Sequence, residues 1–178
     1  MGEIKSTLDL VMEKTKHLSL SAEEKQNQKM VEIEKRVNGL LQRYQDQVLS
    51  MEQLQVEYTR LKQELGLPDD RFLVNQALNK IDLGGDNRPL LELLNQLCGP
   101  EIAGINSILN EFQEEFNSAA SYRMVELRED LARKYFISGS AVVPNLQADD
   151  AWRAAAGAIR SRYDEKLAGQ REKIGNSL

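Results

Sequence analysis

Between Met30 and Leu65 the apolar positions recur in steps of three and four: Met30, Ile33, Val37, Leu40 and Tyr44, then Met51, Leu54, Tyr58, Leu61 and Leu65. Counted in heptads with Met30 at position a, the seam has a single polar residue, Gln47 at d. A 3.5-residue repeat sustained over this length marks a helix that lies against another helix. The pattern predicts one long helix over residues 22–65. Ser21, followed three residues later by Glu24, forms a capping box for its start, and Gly66 with Pro68 ends it. The heptad run alone would make a rod of roughly 54 Å at 1.5 Å per residue. Leu41 and Val48 at e, with Leu49 and Val56 at f, widen the stripe in the middle of the helix. A wide stripe suits a bundle better than a two-stranded zipper. Lys29 with Glu34 and Glu57 with Lys62 are the charge pairs a parallel dimer would use, and exposed pairs of this kind are too weak to fix orientation. A buried Gln47 would act on register.

The flanking segments are also helical in pattern. Ile4, Leu8, Val11 and Leu18 predict a short amphipathic helix ahead of the long one. "PDDRFLVNQALNKIDLGG" opens on aspartate caps and closes on Gly84 and Gly85, giving about three turns. "DNRPLLELLNQLCG" repeats that grammar, with Asp86 or Asn87 as cap, Pro89 early and Gly99 as the stop. Its Leu90, Leu91, Leu93, Leu94 and Leu97 point all round the helix, so it belongs in the core. From Pro100 to about Phe136 a second long helix carries Ile105, Leu109, Phe112, Phe116, Ala120, Met124, Leu127, Leu131 and Tyr135, with an extra step of four that loosens supercoiling. Residues 137–148 break the pattern: Gly139 punctuates, and Pro144 holds Val143 extended. Asp149 or Asp150 then caps a last helix with Trp152, Ala156, Ile159, Tyr163 and Leu167 on one face, and residues 169–178 are expected to fray.

The expected fold is all-α and elongated. Helices 22–65 and 100–136 pair antiparallel as a coiled-coil-like hairpin, and the shorter helices form a small bundle at one end. Three segments, 1–67, 68–136 and 137–178, make up one structural unit at this length.

Charge narrows the partners. The chain has 23 basic and 28 acidic residues, and the excess of acid falls in residues 68–136. No segment is strongly basic, so nucleic-acid binding through clustered Lys and Arg is not expected. No apolar run approaches the roughly 20 residues that span a bilayer. Met1, Gly2 and Ser6 match the short myristoylation pattern, and an ordinary N-terminus is the expectation. Cys98 is the lone cysteine and lies in a leucine-rich run, where a buried, unreactive thiol in a reducing, cytoplasmic setting fits best.

The inventory for catalysis is thin. His17 is the lone histidine, and nothing near it offers a nucleophile at a turn. A di-iron bundle needs two Glu-x-x-His pairs, and zinc needs a Cys/His cluster. No cofactor is expected. The stretch from Asp82 resembles a calcium loop until the closing bidentate position, which is Leu93. Glu114–Glu115 and Asp149–Asp150 are adjacent in helices, so their carboxylates point about 100° apart. The function expected is therefore non-enzymatic: an interaction, scaffold or adaptor module that uses the seam Met30, Ile33, Val37, Leu40, Tyr44, Met51, Leu54, Tyr58 and Leu61. Its partner would be a protein, either a heterologous helix or a second copy in a homodimer. The alternative is an enzyme or small-ligand binder with its site on the 137–145 loop, at Ser138, Gly139, Ser140 and Asn145.

Overall fold

In the computed structural model, which describes residues 21–177, the helix expected over 22–65 is two helices. The amphipathic pattern from Ile4 to Leu18, His17 and the Met1–Ser6 motif lie outside the described residues. α1 (Ala22–Gln45) starts on the capping box read from the sequence. The Ser21 hydroxyl accepts the Glu24 N–H at 3.1 Å, and the Glu24 carboxylate accepts the Ser21 N–H at 2.7 Å. After Asp46 the chain reverses at Gln47, whose backbone is left-handed with φ 58°. Ser50 then opens α2 (Met51–Leu65) with a second capping box, onto Gln53. S-x-x-Q inside a heptad run offers the backbone a fresh helix start, and here that local offer wins over continuation. Gln47 is thus an exposed turn residue and sets no register.

The seam closes on itself. Arg36 reaches Glu64 at 2.7 Å and Arg43 reaches Glu57 at 2.8 Å, so α1 and α2 run antiparallel. Ile33, Val37, Leu40, Leu41 and Tyr44 of α1 join Leu54, Tyr58 and Leu61 of α2 in one buried cluster. Ser50→Ala is expected to lower stability by about 1 kcal/mol. That loss should appear as a lower urea midpoint at unchanged slope, and no shift at all would mean that α2 starts without its cap.

α3 (Arg71–Lys80) follows the left-handed cap at Gly66 (φ 69°), and α4 (Arg88–Cys98) ends at Gly99 (φ 60°) as its sequence indicated. Asn87 does not cap α4 with its side chain. It ties the α3–α4 turn instead, accepting the Asp82 N–H at 3.0 Å and donating to the Asp82 carbonyl at 2.6 Å. Leu90, Leu93 and Leu94 are fully buried, which places α4 at the centre of the core.

A short 3-10 turn (Gly99–Ile102) leads into α5 (Ala103–Tyr135), and α6 (Asp150–Ser177) completes the order. The expected mate of α5 was the 22–65 helix. Its mate is α6. Glu115 pairs with Arg162, Glu111 with Lys166 at 3.2 Å and Arg123 with Asp149 at 2.8 Å, so these two helices also run antiparallel. Once the α1 stripe is covered by α2, α5 pairs with the helix that follows it directly in sequence, as consecutive elements usually do. The end of α6 does not fray: Ile174 continues the Tyr163–Leu167 face and is buried against the body, where α6 packs on α3.

Candidate interaction surface

Beyond Phe112 no residue of α5 is fully buried, and between Trp152 and Tyr163 none of α6 is. α5 therefore leaves the body as an arm of roughly 34 Å, counted from residue 113 onward at 1.5 Å per residue, with α6 beside it as far as Arg123 and the connection to α6 beside it farther out. Aromatic rings hold its base. The ring centroids of Phe112 lie 5.4 Å from Phe116 and 5.7 Å from Tyr163, and Phe116 meets Trp152 edge-on at 5.2 Å. Edge-on pairs at such separations are favourable beyond the area they bury. Glu115, read from sequence as solvating its helix, accepts the Tyr163 hydroxyl at 3.0 Å and pairs with Arg162. Burial, and then that carboxylate, push the Tyr163 phenol above its usual range.

Farther out, Arg123 clamps the hairpin. Its guanidinium makes two parallel bonds to Asp149, at 2.8 and 2.9 Å, and a third to Glu126 at 2.8 Å. Asp149 also accepts the Trp152 N–H at 2.7 Å, so it is the residue that caps α6. The Arg123 guanidinium, helped by that N–H, holds the Asp149 carboxyl at about 2 against an ordinary 3.8. A carboxyl depressed in the fold stabilises it above the unfolded value and loses that contribution as pH falls from there through the folded value. The arm is accordingly expected to loosen between about pH 4 and pH 2. Trp152, the only tryptophan, reports this by fluorescence. In Asp149→Asn that acid limb should disappear, and an unchanged limb would refute the assignment.

The arm ends in an unusual cap. Phe136, a phenylalanine with left-handed backbone (φ 55°), terminates α5, with its own N–H and that of Ile137 donated to the Leu131 carbonyl. Its side chain is 90% exposed. The connection back to α6 is held by Arg128, which donates to the Val142 carbonyl at 3.1 Å, and by Pro144, which is buried. Ser138, Gly139 and Ser140 are exposed there, Gly139 with φ 134°. Asn145 uses its side chain to accept the Gln147 N–H at 3.1 Å, which starts a 3-10 turn (Leu146–Ala148). The four loop residues thus lie along one connection, whose Asn145 side chain is engaged in that local turn.

The seam residues fall elsewhere. Ile33, Val37, Leu40, Tyr44, Leu54, Tyr58 and Leu61 are buried in the body, Met51 is half-buried, and Met30 remains 46% exposed at the open end of the α1–α2 pair. Tyr58 is pushed up to about 12, by burial first and then by Asp70.

What the sequence reading passed over is a second stripe on α5. Tyr122, Val125, Glu129, Ala132 and Phe136 follow one another in steps of three, four, three and four, and all are exposed. At 100° per residue the first four lie opposite the side on which Phe116 faces α6, and Phe136 follows them at the cap. The signal was present as a second heptad phase, masked by the stronger inward one. The clamp of Arg123 on Asp149 carried no such signal, since 26 residues separate the pair.

A cleft of about 630 Å³ opens where the α1–α2 turn meets α4, lined by Tyr44, Gln47, Gln53, Asp86, Arg88 and Glu92. Two of its charges are paired with each other: Arg88 binds Asp86 at 2.6 Å and holds that carboxyl at about 2. Among the described residues, no three His, Cys, Asp or Glu side chains gather as a metal site. No helix there is long and apolar enough to cross a membrane. In comparisons with protein-family models, curated proteins and solved structures, the chain matches none.

Proposed function

We propose that the chain is a non-enzymatic protein-interaction module in which a closed helical body presents the α5–α6 arm, coiled-coil-like in its pairing, as the contact element. The observation that carries this reading is Phe136. A left-handed cap without glycine costs about 1 kcal/mol or more, and a side chain 90% exposed recovers nothing from the chain itself. The strained backbone returns a helix cap at the Leu131 carbonyl, and a phenylalanine ring there, in place of the glycine that would cap without strain, is what points to contact with something else. Its chain neighbours Tyr135 and Ile137 are exposed as well, so the end of the arm offers an apolar surface to a protein. A reducing, cytoplasmic setting belongs to the same reading, supported by a free Cys98 thiol that burial pushes above its ordinary range.

The test is photocrosslinking in the cells that make the protein. A photoreactive phenylalanine analogue is placed at position 136, with exposed Val56 of the body as the control position. A discrete protein adduct from position 136 and none from position 56 supports the proposal. No adduct from 136, nor from 122 or 125, sinks it.

A further inference from the structure

We infer that the outer stripe of α5 docks against the same stripe of a second copy of this chain, the two arms lying antiparallel across a twofold axis. This rests on the arm being the contact element and names what it contacts. Tyr122, Val125, Glu129, Ala132 and Phe136 hold the alternating spacing that helix–helix packing uses, on a face that no other helix covers among the described residues. The exposed apolar side chains on or beside the stripe are Tyr122 (69%), Val125 (53%), Tyr135 (66%) and Phe136 (90%). Together they offer roughly 500 Å² per copy, taking aromatic side chains at 150–250 Å² each. Two copies then bury roughly 1,000 Å², the size of weak, transient contacts. A reversible dimer follows.

Charge selects the antiparallel arrangement. Glu126 and Arg133 flank the stripe on the same side, seven residues apart; Glu126 also binds Arg123 and Arg133 also meets Asp130, and their side chains remain 41% and 70% exposed. A twofold axis between Glu129 and Ala132 places Glu126 of each copy beside Arg133 of the other, so the pair forms twice. It also sets Phe136 of each copy on Val125 of the other, and Glu129 over the small side chain of Ala132. A parallel pairing offers no such match, because it brings Arg128 of one copy to Arg133 of the other. Glu129 is the one residue of the stripe that opposes the contact, since two carboxylates approach near the axis.

The experiment is absolute mass by light scattering across a concentration series, on the full chain and on Phe136→Ser and Glu129→Leu. Both positions are exposed, and circular dichroism melting confirms that each variant folds. The expected result is a monomer–dimer equilibrium that Phe136→Ser weakens at least tenfold and Glu129→Leu tightens at least tenfold. A monomer at every concentration overturns the inference, as does a dimer indifferent to both substitutions. If residues 1–20 of the same chain cover the stripe, the mass stays monomeric and deleting them exposes it to dimerisation, which also overturns it. A monomer whose position 136 still crosslinks to a different protein would leave the interaction module standing and remove only the second copy.

Discussion

Leu41→Ala is expected to destabilise the protein by about 2–5 kcal/mol, the range for truncating a fully buried leucine. Leu41 is 0% exposed, at the centre of the α1–α2 pair, with Val37 and Leu40 beside it on the same cluster. Alanine would remove the packing of a whole isobutyl group, and the close-packed cluster around it relaxes only partly into the space. For a chain of this size the loss corresponds to a fall in Tm of very roughly 4–20 °C. Val48→Ala is the control. Val48 shares the e position of the heptad but lies in the turn, 65% exposed, and its truncation should stay within about 0.5 kcal/mol. Urea unfolding followed at 222 nm separates the two. Equal effects would mean that the α1–α2 reversal is not the folded arrangement.

Phe112→Ala is the second large effect, expected at about 3–5 kcal/mol. Phe112 is 4% exposed and is the last buried residue of α5 before the arm, touching both Phe116 and Tyr163. Its loss removes two aromatic contacts at once and opens the base of the hairpin. Trp152 fluorescence and far-ultraviolet dichroism should therefore separate in the variant, with the tryptophan signal moving first as the arm loosens. Coincident transitions would show that arm and body unfold as one unit regardless of this ring.

Leu41 and Val48 also show where the sequence stops being readable. A heptad pattern states that a stripe exists and which residues lie on it. It does not state the direction in which the chain carries that stripe. Ile33 through Tyr44 and Leu54 through Leu61 were assigned to a packing face, and they do pack. The reversal between them depends on one left-handed residue and on Ser50 with Gln53, a capping signal only as strong as the one at Ser21 that marks a true start. Ends of helices marked by Gly66, Pro68, Pro89 and Gly99 were legible, because glycine and proline act on the backbone locally. Pairing between helices was not, because α1, α2, α5 and α6 all carry faces wide enough to accept several mates. At the arm, where the inward repeat closes on Tyr135, Phe136 read only as the approximate end of a helix. Its left-handed backbone and exposure emerge only when the following loop fails to fold over it.

The return of α6 to the body has a consequence for the order in which the protein assembles on the ribosome. α3 and the turn after it are made early, yet part of their cover arrives last, when Ile174 packs in and Arg171 donates to the Ile81 carbonyl. Until then the nascent body carries a bare apolar strip. The arm hairpin, built from contacts between neighbours in sequence, forms without waiting for that strip and swings the end of α6 back toward it. A synthesis pause after Trp152 would therefore prolong the interval in which the unfinished body attracts chaperones.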